Sequence, residues 1–121
     1  MSTRESAIFS FLSSFGIPAY AATATPDNAG MPYITYNLII GDFLDEVSMN
    51  ANLWYRTESE AEPNAKVREI EQTMGTGGKI IKYDGGAVWI KKGTPWCQSV
   101  PDDDNSIKRR YLNFDLDYIE L

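Results

Sequence analysis

The chain has 121 residues, 43% apolar and 23% charged, which suits one globular domain over residues 1–121 and leaves no stretch long enough to span a bilayer. Its net charge is −6, from 17 acidic against 11 basic residues, the reverse of what a phosphate-tracking protein carries, so no sequence-specific nucleic-acid partner is expected. There is no histidine and one cysteine, Cys97, which removes the commonest general base, the commonest metal ligand and any intrachain disulfide, and suits a reducing cytosol.

The N-terminus imitates a secretory leader: Arg4, an apolar-leaning run from Ala7 to Phe15, then Ala19-Tyr20-Ala21. Glu5 cancels Arg4 and Ser6, Ser10, Ser13 and Ser14 dilute the run, so a helix is the better reading. Ser2 and Glu5 fit a capping box, and Ile8, Phe11, Leu12 and Phe15 share one helical face before Gly16 and Pro18. The spacing predicts a first helix over Thr3 to Phe15. An extended piece is expected over Ile17 to Thr23, and a loop over Thr25 to Gly30.

Tyr33 to Ile40 alternates, with Ile34, Tyr36, Leu38 and Ile40 on one side and Tyr33, Thr35 and Asn37 mostly on the other. After a turn over Gly41 to Asp45, Val47 to Arg56 alternates again. Val47, Met49, Ala51, Leu53 and Tyr55 form an inner set; Ser48, Asn50, Asn52, Trp54 and Arg56 form an outer one. Ser59 to Met74 reads as a second helix with Pro63 in its first turn, a Val67, Ile70 and Met74 stripe with Ala65 alongside, and Gly75 as C-cap.

Asp84-Gly85 predicts a two-residue hairpin turn between Lys79–Tyr83 and Gly86–Lys91, pairing Ile81 with Val88 and Ile80 with Trp89. Ile81, Tyr83, Val88 and Ile90 then share one face; Ile80, Lys82, Trp89 and Lys91 share the other. Gly93 to Ser106 reads as a long polar loop. The last strand, Ile107 to Ile119, turns Leu112, Phe114, Leu116 and Tyr118 inward and Arg109, Tyr111, Asn113, Asp115 and Asp117 outward. The order α-β-β-β-α-β-β-β predicts an α+β fold: a mainly antiparallel mixed sheet with two helices packed on one face.

Candidate chemistry is sparse. Gly75-Thr76-Gly77-Gly78-Lys79 lacks the spacing, the hydroxyl residue and the following helix of a phosphate loop, and reads as a C-cap and turn. Asp102-Asp103-Asp104-Asn105 lacks the glycine and glutamate of a calcium loop and reads as a solvated loop. Asp115 and Asp117 share a strand face without a nucleophile nearby in sequence, which favours pairing with basic side chains. Lys108-Arg109-Arg110 alternates between faces, makes no basic stripe, and suits ion pairs within or between subunits. Cys97 has no histidine to make a thiolate and reads as inert. Trp54 and Trp89 fall opposite the helix-covered face. Loops covering them would make them a second core layer; left open, they are protein–protein anchors with arginine nearby.

Several local patterns then resemble a known family: Pro32-Tyr33-Ile34-Thr35-Tyr36, Leu53-Trp54-Tyr55-Arg56, the hairpin from Gly77-Gly78-Lys79 to Gly85-Gly86-Ala87-Val88-Trp89-Ile90, Pro95-Trp96-Cys97-Gln98, and Ile107-Lys108-Arg109-Arg110-Tyr111. They resemble the tail-completion and tail-terminator proteins of long-tailed phages and of prophages in Gram-positive bacteria. The resemblance implies a structural protein rather than an enzyme, with no catalytic residue, cofactor or metal. It implies a ring of identical copies, commonly a hexamer, at the head-proximal end of the tail tube, which halts tube polymerisation and docks the head-tail connector. The partners it implies are the chain itself, the tail tube protein and the connector protein, with no membrane. The place it implies is the virion tail, and the host cytoplasm during assembly. Strand parity, not the resemblance, nominates Trp54, Arg56, Trp89, Arg109 and Tyr111 as oligomer contacts, with the Gly93–Ser106 loop second. Two rivals stand beside this: a small enzyme or ligand binder with a pocket between sheet and helix using Tyr36, Asp115 and Asp117, and a head-completion or adaptor protein.

Overall fold

A computed structural model describes residues 3–38 and 47–120. Ser2, the last two residues of the strand expected to end at Ile40, and the expected Gly41–Asp45 turn lie outside the described residues. The element order is α1 (Arg4–Ser13), β1 (Ala19–Ala21), a 3-10 turn (Ala22–Ala24), β2 (Tyr33–Leu38), β3 (Val47–Arg56), α2 (Ala61–Met74), β4 (Lys79–Tyr83), β5 (Gly86–Val100) and β6 (Ile107–Glu120). The fold is α+β, and its six-stranded sheet runs β1-β2-β3-β6-β5-β4. β1 lies parallel to β2, and the other pairs are antiparallel.

Helix boundaries follow local hydroxyl chemistry. Thr3, not Ser2, is the N-cap of α1. Its Oγ1 accepts the Ser6 N–H at 3.1 Å, and the Ser6 Oγ accepts the Thr3 N–H at 2.8 Å. The box therefore sits one residue later than expected, because Thr3 takes the extended cap backbone and places Ser6 at the third helical position. α1 stops at Ser13, short of the expected Phe15, yet Phe15 stays buried and meets Phe11 edge-on at 5.3 Å. The Lys66 ammonium donates to the Phe15 carbonyl at 2.6 Å and ties this end of α1 to α2. α2 begins at Ala61 rather than Ser59. Two hydroxyl turns, Thr57 Oγ1 accepting from Ser59 N–H and Ser59 Oγ from Ala61 N–H, each at 3.1 Å, hold residues 57–59 outside the helix.

The core lies between the helices and one face of the sheet. Ile8, Phe11, Leu12, Val67, Ile70 and Met74 from the helices join Ile34, Met49, Leu53, Val88, Ile90, Leu112, Phe114 and Leu116 in one apolar cluster. Every inner position expected on β3 is buried, whereas Ala65 on α2 is exposed. α2 meets β3, β5 and β6, while α1 meets β5 and both sheet edges, β1 and β4. A helix reaching both edges protects strands that would otherwise invite further pairing.

The hairpin pairs Ile81 with Val88 and Ile80 with Trp89, as the Asp84-Gly85 turn demands. The expected loop from Gly93 to Ser106 is corrected: β5 continues to Val100, interrupted by a bulge between Lys92 and Cys97. Gly93 permits the excursion, since a Cβ there would lie 2.9 Å from the Asn113 Cβ. Asn113 Nδ2 donates to the Pro95 carbonyl at 2.9 Å and closes it. The turn that remains, residues 101–106, is built by its aspartates. Asp102 Oδ1 accepts the Asp104 N–H at 2.9 Å, and Asp104 Oδ1 accepts the Ser106 N–H at 2.8 Å.

Phe114 sits at the centre of the core, fully buried, edge-on to Phe11 at 6.4 Å and to Trp96 at 5.0 Å. Phe114→Ala is expected to lower unfolding stability by about 3–5 kcal/mol, the usual result of emptying an aromatic site. Urea denaturation followed by far-ultraviolet circular dichroism checks it.

Candidate functional site

The face of the sheet opposite the helices carries the candidate site. Alternation on β2, β3 and β6 puts Tyr33, Trp54 and Arg109 in one cross-strand row. Tyr20 on β1 extends the row, its ring 5.9 Å from that of Tyr33, which lies 6.4 Å from that of Trp54. The Trp54 indole N–H donates to Thr35 Oγ1 at 2.9 Å, and the Arg109 guanidinium lies over the ring, 4.8 Å from its centroid. Arg109 Nε donates to Asn52 Oδ1 at 2.7 Å, which fixes the guanidinium in place. Such a cation over an indole contributes about 0.5–2 kcal/mol, more as water is excluded.

Trp89 repeats the construction. Its indole N–H donates to the Gly77 carbonyl at 2.7 Å, and the Lys91 ammonium lies 4.6 Å from its ring centroid. Lys91 also pairs with Asp117 at 2.7 Å. Gly78 explains the glycine-rich stretch. Its φ is +85°, and a Cβ there would lie 2.4 Å from the Ile90 carbonyl oxygen and 2.9 Å from the Trp89 indole nitrogen. The stretch seats Trp89 and follows the α2 C-cap at Gly75, as a turn rather than a phosphate loop. Ile80, 58% exposed, and Ile119, 48% exposed, flank Trp89 on the same face.

Trp54, Arg109 and Tyr111 come together, with Tyr111 opposite Asn52 and Gln98. Arg56 shares the face but reaches toward the β5–β6 turn, donating to Ser106 Oγ at 3.2 Å and lying 3.6 Å from Asp104. Trp89 stands apart. Trp54 pairs with Arg109 of β6 and Trp89 with Asp117, eight residues farther along, roughly 27 Å at strand rise. Asn50, Asn52, Tyr111 and Asn113 make a polar strip between the two aromatic clusters. The Gly93–Ser106 segment enters this face largely as strand, through Gln98 and Val100. Sequence parity had already turned Tyr33 and Ile80 outward, but their membership of the two clusters needed the strand order. Tyr20 was hidden in a three-residue strand.

The other candidates disperse. Tyr36 lies on the helix-facing side, where burial pushes its hydroxyl pKa up. Asp115 and Asp117 lie on the open side, so the three groups of the pocket reading do not converge. An open groove of 280 Å³ lies at the β5–β6 turn instead, lined by Glu60, Val100, Asp104, Lys108 and Arg110 among others. Arg110 is buried and turned inward, pairing with Glu60 and donating to Asn64 Oδ1 at 3.0 Å. Among the described residues, no group of three or more histidine, cysteine, aspartate or glutamate side chains is placed to hold a metal. No helix among them is long and apolar enough to cross a membrane.

Burial pushes the Cys97 thiol pKa up; nearby Arg110 opposes this and Glu71 adds to it. Cys97 is expected to react with iodoacetamide at pH 8 more slowly than free cysteine, and at the free rate in denaturant. A faster native rate would mark an activated thiolate. Gly78→Ala is expected to shift the emission of Trp89 and to destabilise the fold, checked in a variant with Trp54 and Trp96 replaced by phenylalanine. Comparison with protein-family models and with curated proteins returns no match for this chain.

Proposed function

We propose that the chain is a ring-forming structural protein of a phage tail, of the tail-terminator type. In this reading copies assemble at the head-proximal end of the tube, end its growth and offer a surface to the head connector. The observation that carries it is the helix-free sheet face with two immobilised indoles. Each indole N–H is already satisfied, and each ring is held by a cation, so little ordering remains to be done on contact. The face spans five strand spacings, roughly 24 Å, by the roughly 27 Å between the clusters, near the ~800 Å² per partner of a stable interface.

The inner side argues in the same direction. Apart from Arg110, which pairs with Glu60 and Asn64, its buried side chains are apolar, and no buried side-chain nitrogen or oxygen among the described residues lacks a hydrogen-bond partner. A ligand site would want unsatisfied convergent polar atoms. The net charge of −6 suits a ring around a DNA conduit, which must not grip what passes through it.

Light scattering on the purified protein, with negative-stain microscopy alone and with tail tubes, tests the proposal. The expected result is a closed ring, free in solution or capping one tube end. A monomer at tens of micromolar that leaves tube ends bare overturns it. Trp54→Ala and Trp89→Ala are each expected to weaken assembly by about 2 kcal/mol, roughly 30-fold, measured at a temperature where melting curves show each monomer, which loses its own indole contacts, still folded.

A further inference from the structure

The sheet has two edges, and they are unlike. β1 offers three residues, Pro18 before it has no N–H to give, and Thr25 Oγ1 already donates to the Ala21 carbonyl at 3.3 Å. β4, at the other edge, offers the five residues Lys79–Tyr83. The two-residue turn at Asp84-Gly85 makes Tyr83 and Gly86 a hydrogen-bonded pair, so alternation commits the N–H and C=O groups of Tyr83, Ile81 and Lys79 to β5. Those of Ile80 and Lys82 point the other way, in the plane of the sheet. No turn, loop or side-chain hydrogen bond among the described residues takes them up. α1 meets β4 from the helix-facing side, which leaves this in-plane row open, and Lys79, Ile80 and Lys82 are all exposed.

A row of unpaired backbone N–H and C=O groups takes one kind of ligand, an extended strand. β4 is itself such a strand, and it complements its own reverse. Turned about Ile81, its midpoint, it sets Ile80 opposite Lys82 of a second copy, Lys79 opposite Tyr83 of that copy, and Ile81 opposite Ile81. The Ile80–Lys82 pairs are the hydrogen-bonded ones, since both residues aim their backbone groups outward; the Ile81 pair is the close, non-hydrogen-bonded one. No lysine meets a lysine. Other registers fare worse. Centring on Lys82 sets lysine against lysine, and so does parallel in-register pairing. Centring on Ile80 brings in Gly78, whose φ of +85° takes it out of strand geometry. The two lysines thus leave one favoured register. On the open face this pairing carries the Trp89–Ile80 row on to Lys82, Ala87 and Ile119 of the second copy, and covers apolar surface that a single copy leaves in water.

We propose that β4 is a two-fold docking edge, at which two copies pair antiparallel about Ile81 and join their six-stranded sheets into one. The contact is isologous and stops at two copies. It is separate from the open-face contact of the tail reading and does not rest on it. The two-fold axis runs through the sheet, so both open faces lie on the same side of the joined sheet, with each Trp54 corner away from the shared edge.

Mass by light scattering and amide hydrogen exchange by nuclear magnetic resonance test this. A contact this short is expected to be weak, so both are read over concentrations on the order of 10–500 µM. The expected result is a passage from monomer to dimer in which the Ile80 and Lys82 amides slow as concentration rises, while the Ile81 amide, bonded to β5 already, is slow throughout. Lys82→Pro removes one outward N–H and spares the β5 ladder, and is expected to weaken pairing at least about tenfold. Lys82→Thr keeps that N–H and is expected to pair nearly as wild type does. Where melting curves show that the proline variant does not fold, Ile81→Cys in a Cys97→Ser background stands in. Mild oxidation is expected to link two copies through the introduced thiols, because a close pair brings the two Cβ atoms within disulfide reach. A folded Lys82→Pro chain that pairs like wild type, or introduced thiols that do not link, overturns the inference. So does a monomer with fast Ile80 and Lys82 amides throughout. If copies form rings while these two amides stay fast, the edge inference falls and the tail reading stands. If they pair as described yet leave tube ends bare and form no ring, the edge stands and the tail reading falls. If added tube protein slows the two amides and higher concentration does not, the edge takes a foreign strand and the second-copy inference is overturned.

Discussion

Alternation along β6 is the constraint on which the rest depends. Leu112, Phe114 and Leu116 are each fully buried, and this fixes the side on which Arg109, Tyr111, Asn113, Asp115 and Asp117 stand. A slip of one residue would send three large apolar side chains to solvent and five polar ones into the core, so the register has no close competitor. β6 is also the strand between β3 and β5, so its parity is imposed on both neighbours. Trp54 faces outward because it opposes Arg109; Trp89 faces outward because it opposes Asp117.

The same device resolves what an outward tryptophan costs. An indole half in water leaves apolar surface exposed, and a free N–H would need a partner whenever the surface was covered. Here each N–H is bound within the chain, to Thr35 Oγ1 or to the Gly77 carbonyl. Each ring also carries a basic side chain, Arg109 or Lys91, whose methylenes and charge shield part of it. The two clusters use different supports. Trp54 is held by side chains of its own sheet, whereas Trp89 is held by the backbone that follows α2. Gly78 is required there because any Cβ would press on the Ile90 carbonyl and on the indole it seats.

Period-two patterning made most of the sheet legible. The inner and outer sets of β3, the hairpin register at Asp84-Gly85 and the outward placement of both tryptophans follow from local spacing alone. What escaped was non-local. The bulge after Lys92 depends on Asn113, some twenty residues away, accepting the close approach of Gly93 and bonding the Pro95 carbonyl; no window of sequence contains both partners. The cap of α1 slipped by one residue because serine and threonine adjoin and either can cap, so the choice rests on backbone conformation. The candidate contacts were legible as a face but not as clusters. Strand order, with β6 inserted between β3 and β5, separates Trp89 from Trp54 and brings Tyr33 and Tyr20 to Trp54 instead.

Within Lys108-Arg109-Arg110, one peptide bond joins the two layers. Arg109 points outward and holds Trp54, while Arg110 points inward and holds the start of α2 through Glu60 and Asn64. Arg110 also donates to the Arg109 carbonyl at 3.2 Å, so the two guanidinium groups are coupled through backbone rather than through a flexible loop. A buried arginine is a costly way to gain stability, since a well-packed apolar residue often serves as well. Its value lies in placement. It fixes the beginning of α2, through Glu60 and Asn64, against the central strand that also carries Arg109.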